Sequence, residues 1–289
     1  MKWFDYSAPT SLADALAQLA GHPQALLLAG GTDLLVQLRA GRKQTDLVLD
    51  IKRVPDLNSI AFDSATGLTL GAAVSCVNIY ENQAIRKQYP SLAEVASIIG
   101  GTQIQGRASI GGNLCNAAPS ADAVPLLIAL GARARIASTG GSRDLAVEDF
   151  CTAPGKNILK QGEILVSIVI PPPQPRSGAH YLRFIPRNEM DIAVAGAGVS
   201  VVLENGSFRE ARVSLASVAP TPLFVKEAGD SLRGKPVNAD SIHAAAELAK
   251  AAAKPITDMR GTLEYRRHLC AVLTRRALEA AVKQAQGAN

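Results

Sequence analysis

Two glycine pairs carry the strongest chemical signal in this sequence: Leu27-Leu28-Ala29-Gly30-Gly31-Thr32-Asp33-Leu34 and Ser109-Ile110-Gly111-Gly112-Asn113. Paired glycines let the backbone reach positive φ and strip side chains from one face of a turn. The first pair follows a short apolar run and precedes an apolar helical pattern, so free N–H groups at the helix start face outward, as an anion site requires. Thr32 adds a hydroxyl donor. Asn113 can donate and accept, which suits a phosphate or the edge of a heterocycle. Neither loop holds the G-K-[ST] of a Walker A motif or a G-x-G-x-x-G. One glycine pair alone reads as a tight turn; two pairs, each flanked by polar residues, point to a dinucleotide-like ligand gripped at its diphosphate from two sides.

The remaining reactive residue types form no constellation. His22, His180, His243 and His268 lack ligand spacing and read as solvated or structural. Cys76, Cys115, Cys151 and Cys270 stand far apart with no C-x-x-C pair. That argues against a zinc site or iron–sulfur cluster carried by this chain alone and fits a reduced, cytoplasmic setting. Cys115 reads as a small core residue. No acid–base catalytic residue and no metal ligand is assigned.

The elements that must position the loops follow from periodicity. Ser11 is the expected N-cap of a helix with Leu12, Leu16 and Leu19 on one face, ended near Gly21. Ala25–Ala29 is a buried strand, Asp33–Arg39 a helix and Leu47–Ile51 a strand, a β-α-β unit that implies parallel pairing. Beyond residue 56 the pattern gives a strand at 68–70, helices at 77–88 and 91–99 parted by Pro90, and a glycine-rich loop at 108–122. A helix start follows at 123–130, then strands at 133–138 and 163–170. Ile170-Pro171-Pro172-Pro173 begins the best linker, because consecutive prolines continue neither helix nor strand. After it come strands at 179–186, 192–203 and 208–218, with a hairpin turn at Glu204–Ser207, then helices at 223–232, 240–253 and 263–283. Three strands followed by three helices make an α+β domain of their own.

Composition agrees with two globular domains. The chain has 289 residues, 47% of them apolar and only 4% aromatic, so its cores are aliphatic. No uninterrupted apolar run is long enough to span a membrane, and the first ten residues lack the apolar segment of a signal peptide. The net charge of +5 is spread along the chain, densest at Arg266, Arg267, Arg275 and Arg276, which read as a solvated helix face able to dock a partner. No basic stripe interleaved with aromatics is present for stacking bases, which argues against nucleic-acid binding.

The segments LLLAGGTDLL at 26–35 and ASIGGNLCNAAPSADAVPLLIAL at 108–130 resemble the two FAD-binding signatures of the flavoprotein (medium) subunit of molybdenum hydroxylases, the xanthine and carbon monoxide dehydrogenase family. GEILVSIVIP at 162–171, YLRFIPRNEMDIAVAGAGVS at 181–200, SVAPTP at 217–222 and DMRGTLEYRRHLCAVLTRRAL at 258–278 extend the resemblance over nearly the whole chain. It implies an α+β chain: a vanillyl-alcohol-oxidase/PCMH-type FAD domain over 1–175, with lobes at about 1–55 and 56–175. A C-terminal domain over 179–289 would follow, a three-stranded antiparallel sheet with a three-helix bundle.

By the same resemblance, Leu27 to Leu34 and Ser109 to Asn113 wrap the FAD diphosphate and ribityl chain. Asp122 matches an acid at the adenosine end, Leu165 an apolar residue against the cofactor, and Arg183 a basic position near the flavin. Asp191 and Ile192 fall in the Asp-Ile-Ala element beside the isoalloxazine ring. Read from the residues alone, Asp122 is as well explained as a helix cap, Asp191 as a loop end and Arg183 as a solvated strand residue. Gln105-Gly106-Arg107 departs from the Arg-Asn that the family often carries ahead of the second loop. The function implied is an electron-transfer subunit of a heterotrimer. It would take electrons from a two-cluster iron–sulfur small subunit, served by a molybdopterin-binding large subunit, and pass them to an external acceptor. The alternatives are a free-standing FAD oxidoreductase of the same superfamily, against which the match from 181 to 278 speaks, and a non-redox binding module.

Overall fold

A strand of three residues, β1 (Asp5–Ser7), precedes the first helix, α1 (Leu12–Gly21). Ser11 caps α1, its Oγ accepting from the Asp14 N–H at 3.2 Å. The unit β2 (Leu26–Leu28), α2 (Leu34–Arg39), β3 (Leu47–Asp50) follows, and the three strands form a parallel sheet in the order β1-β3-β2. Its central strand is buried on both faces. Leu47 and Leu49 meet Ala15, Leu16 and Leu19 of α1, and Val48 meets Leu28 and Leu38 under α2. The computed structural model describes residues 2–188 and 190–287.

The larger lobe is built on β4 (Ile60–Asp63) and β5 (Gly67–Gly71), then α3 (Cys76–Glu81), α4 (Gln83–Gln88), α5 (Pro90–Ile98), α6 (Thr102–Gln105), α7 (Ile110–Asn116) and α8 (Ala123–Ala129). It closes with β6 (Arg133–Ser138), β7 (Gly141–Ala146), the small ribbon of β8 (Cys151–Ala153) and β9 (Lys156–Asn157), and β10 (Ile164–Ile170). Its antiparallel sheet runs β4-β5-β10-β6-β7. The single helix expected at 77–88 is two, because Asn82 is extended and caps α4 by accepting from the Ile85 N–H. The stretch expected as a loop from 108 to 122 contains α7. Ser109 caps it, Oγ accepting from the Gly112 N–H at 3.0 Å, so the second glycine pair is the first turn of a helix.

The C-terminal sheet holds β11 (Ser177–Phe184), β12 (Ala195–Glu204) and β13 (Ser207–Ala216), as expected. A fourth, two-residue edge strand, β14 (Leu223–Phe224), occupies the start of the helix expected at 223. The β12–β13 turn has Asn205 and Gly206 both left-handed, with φ of 48° and 76°. Helices α9 (Lys226–Leu232), α10 (Ala239–Ala252) and α11 (Leu263–Ala285) pack against this sheet.

Helix α8 joins the two halves. Every residue in it is buried, and it lies on β12 and β13. Gly198 permits the approach: a Cβ there would stand 2.6 Å from the carbonyl carbon of Pro125. Ser200 Oγ donates to the Ala129 carbonyl, and Arg212 donates to the Ile128 carbonyl at 2.9 Å and to Glu148 at 2.8 Å. The Arg212 guanidinium also lies 4.2 Å over the Phe224 ring.

Candidate cofactor-binding site

The two glycine loops face each other across a cleft of about 450 Å³ between the small and large lobes, a size typical of ligand sites. Leu27, Ala29, Gly30, Gly31, Thr32, Asp33 and Leu34 line one wall; Ser109, Gly111, Gly112 and Asn113 line the other, and Leu165 lines the cleft as well. Leu28 and Ile110 lie in the same loops, but their side chains are buried, 7% and 0% exposed, and anchor the loops to the cores.

The glycines divide into two physical roles. Gly30 and Gly111 serve backbone approach: a Cβ on Gly30 would collide with the Arg107 carbonyl oxygen, and one on Gly111 with the Ala72 carbonyl oxygen. Gly31 has φ of 78°, the left-handed turn that releases the chain into α2. Gly112 alone faces open space, a Cβ there meeting only Ser109 Oγ, at 3.0 Å. Among the described residues, the N–H groups of Gly30, Gly31, Thr32 and Asp33 make no hydrogen bond. Unsatisfied donors in a cleft that narrows to glycine backbone fit the diphosphate of a dinucleotide, so the residues present suit FAD.

Polar contacts brace the cleft. Arg107, from the segment that departs from the family's common pattern, donates to the Ala29 and Gly30 carbonyls, both at 3.3 Å, and ties the second loop to the first. Gln37 Nε2 donates to Asn116 Oδ1 at 3.1 Å, joining α2 to α7. Asn113 accepts from the Ala123 N–H at 3.3 Å, so one of its oxygen's lone pairs serves the start of α8. Burial pushes the Asp33 carboxyl above its usual range, with Lys43 opposing. Burial pushes the Cys115 thiol up to about 12, so this cleft-lining cysteine is an inert small residue.

One wall was not anticipated. Asn157, Leu159, Lys160, Gln161, Gly162 and Ile164 also line the cleft, carried there by the β8–β9 ribbon and the turn into β10. Asn157 Nδ2 donates to the Cys115 carbonyl at 2.7 Å, and Glu163 holds the turn by accepting from the Lys160 N–H at 2.7 Å while paired with Arg143 at 2.8 Å. Gly162, with φ of 77°, is the only local signal of this turn.

Asp122, Arg183, Asp191 and Ile192 stand outside this cleft. Asp122 Oδ2 accepts from Arg183 Nη1 at 2.6 Å and Oδ1 from the Tyr181 hydroxyl at 2.8 Å, in a cluster linking the start of α8 to β11. Burial pushes the Asp122 carboxyl up, while the Arg183 charge and the two hydrogen bonds hold against it. Asp122 makes no side-chain cap bond to α8. Arg183 also lines a second hollow, with Gln105, Tyr181 and Asn188. Asp191 accepts from the Ile192 N–H at 2.8 Å and lies 3.6 Å from Arg187, and Ile192 is 48% exposed. Arg266, expected on a solvated face, is instead 4% exposed: it donates to the Val194 and Ser217 carbonyls at 2.8 and 3.1 Å and pairs with Asp258 at 2.6 Å.

Residues 2–173 match the FAD binding domain in molybdopterin dehydrogenase, and residues 180–281 match the CO dehydrogenase flavoprotein C-terminal domain. The xanthine dehydrogenase FAD-binding subunit of Escherichia coli O157:H7 is 34% identical over 283 residues, spanning 98% of this chain and 97% of the relative. The solved carbon monoxide dehydrogenase of Hydrogenophaga pseudoflava contains a chain that superposes with a TM-score of 0.93 at 30% identity, over 97% of each chain. A chain of quinoline 2-oxidoreductase from Pseudomonas putida 86 gives a TM-score of 0.91 at 30% identity, over 100% of this chain and 99% of the other. Fold and matched domains together define an FAD-dependent oxidoreductase subunit. The chain belongs to the family of FAD-binding medium subunits of molybdenum hydroxylases of the xanthine and carbon monoxide dehydrogenase type. Among the described residues, no group of metal-ligating side chains is assembled and no helix is long and apolar enough to cross a membrane.

Proposed function

We propose that this chain is the electron-transfer subunit of a cytoplasmic heterotrimer, placed between an iron–sulfur chain and an external acceptor, with substrate oxidised on a separate molybdopterin chain. The observation that carries the reading is the pair of facing glycine loops, the first with unpaired N–H groups, in a chain of this family. A bound flavin supplies the redox chemistry, exchanging electrons singly with metal centres and in pairs with soluble acceptors. The protein's part is position and electrostatics. The N–H groups of Gly30 to Asp33 and the backbone at Gly111 and Gly112 would hold the diphosphate, Thr32 and Asn113 would add side-chain contacts, and Leu165 would pack against the cofactor. Asp122, Arg183, Asp191 and Ile192 would serve positions beyond the glycine cleft, toward the C-terminal half. The chain divides on this reading into the FAD domain at 1–175 and the flavoprotein-type domain at 179–289.

The test is to reduce the assembled enzyme with its substrate under anaerobic conditions and follow flavin absorbance at its acceptor-coupled rate. Flavin reduced through the other chains, then reoxidised by acceptor, supports the reading. A chain that binds FAD and turns over a small substrate alone returns the free-standing oxidoreductase.

A further inference from the structure

Helix α2 is apolar on more than one side. Leu38 is turned into the small sheet, 3% exposed, while Leu35 and Val36 remain 42% and 61% exposed. Gln37 and Arg39 are its polar positions, and the described residues place no cover over the side that carries Leu35 and Val36. Arg39 lies one turn further along it, three and four positions on from Val36 and Leu35. On β1, Tyr6 is 59% exposed, and its hydroxyl donates to Asp50 at 2.8 Å. Phe4, two residues before it, packs with Leu34 and Leu28 in the cluster under α2, so Phe4 and Tyr6 share the α2 side of the sheet.

Cations border these apolar groups. Arg39, Arg42, Arg53 and Arg107 are all exposed. Arg53 and Arg107 are near enough to Tyr6 to favour its phenolate, against the stronger effect of Asp50. None of the four enters an ion pair among the described residues. Asp50, the acid that Tyr6 meets, is engaged by Tyr6 and by the Lys52 N–H; Asp5 and Asp33 are also exposed nearby in the chain. The face adjoins the first glycine loop: Arg107 grips the Gly30 carbonyl, and Leu35 packs within 3.2 Å of where a Gly31 Cβ would stand.

We propose that this face, Tyr6, Leu35 and Val36 bordered by Arg39, Arg42 and Arg53, docks a second protein chain of the same enzyme, one presenting an apolar ridge flanked by Asp and Glu carboxylates. The proposal rests on the multi-chain reading above. Exposed apolar residues inside a charged rim are the anatomy of a protein interface, and a rim of unpaired cations selects a partner of opposite charge. A six-residue helix offers too little apolar surface for a membrane-lying amphipathic helix.

The chain's single tryptophan gives a signal for assembly. Trp3 is 99% exposed and lies between Lys2 and Phe4, which border a hollow with Leu38, Gly41 and Lys43. The chain is labelled with 5-fluorotryptophan and mixed with the enzyme's other chains, co-expressed unlabelled in a strain lacking this one. Assembly is expected to broaden the Trp3 fluorine resonance, because the larger complex tumbles more slowly. The Arg39→Glu/Arg42→Glu variant is expected to keep its FAD content in the free chain and to assemble about tenfold more weakly, and wild-type assembly is expected to weaken with salt. Val36→Asp is expected to act likewise without salt dependence. Assembly of both variants at wild-type strength overturns the surface and leaves the subunit reading standing. Binding of the free chain to phosphatidylserine vesicles, lost in both variants, would overturn it in favour of a membrane. A chain that carries FAD yet finds no other chain overturns both.

Discussion

Replacing Gly112 with valine separates the ligand's needs from the fold's. A Cβ at this position meets only Ser109 Oγ, at 3.0 Å, and a hydroxyl can give by that margin. Valine is also somewhat better than glycine inside a helix, by a few tenths of a kcal/mol. The free chain should therefore fold with nearly unchanged stability. The two γ-methyls, however, enter the cleft where backbone would approach a diphosphate. Displacing the phosphates from two charge-assisted N–H contacts, each worth about 1.5–3 kcal/mol, costs about 3–6 kcal/mol, or a loss of roughly 10²–10⁴ in FAD affinity. The assay is a titration of apoprotein with FAD by flavin fluorescence, with thermal unfolding of the apoprotein as control. Gly30→Ala supplies the contrast, because its Cβ collides with the Arg107 carbonyl and must push the loops apart, lowering apoprotein stability by about 1–3 kcal/mol. A folded Gly112→Val chain with wild-type FAD affinity would refute the placement of the diphosphate.

Three further outcomes follow from the geometry. Asp122→Ala leaves Arg183 and the Tyr181 hydroxyl without their buried partner and should cost about 3 kcal/mol in denaturant unfolding; a loss under about 0.5 kcal/mol would mean that the cluster contributes little. Arg143 and the Lys160 N–H depress the Glu163 carboxyl from 4.5 to about 2, so its contribution to stability is complete above about pH 4.5 and fades as pH falls toward about 2. Unfolding followed across that window should show a shallower acid limb in Glu163→Gln, and identical limbs would contradict the pairing. Gly198→Ala drives a Cβ against the Pro125 backbone and should lower the melting temperature by several degrees, measured by calorimetry.

Much of the candidate cleft was legible because its signals are local. A glycine pair after an apolar run and a serine ahead of Gly-Gly each fix a turn within a few residues, and both loops appear where the sequence places them. The helical character of the second loop was masked by its glycines, although Ser109 is a capping residue three positions before Gly112. The wall from Asn157 to Ile164 was not legible, because it reaches the cleft through the pairing of β10 between β5 and β6, contacts far apart in sequence. Arg266 misled for a related reason: most of its partners are backbone carbonyls at 194 and 217, which no side-chain pattern advertises. Strand β1 escaped because Asp5, Tyr6 and Ser7 form a short, half-polar edge with no apolar alternation.

The burial of α8 on every side has a consequence for how the chain comes apart. The proline segment at 171–173 looks like a place to divide it, yet a cut there would strip β12 and β13 from a helix with no polar face. Either fragment would carry a raw aliphatic surface and tend to aggregate. The halves are thus bound to melt together, and the amides of α8 should exchange with solvent only through global unfolding, among the slowest in the molecule.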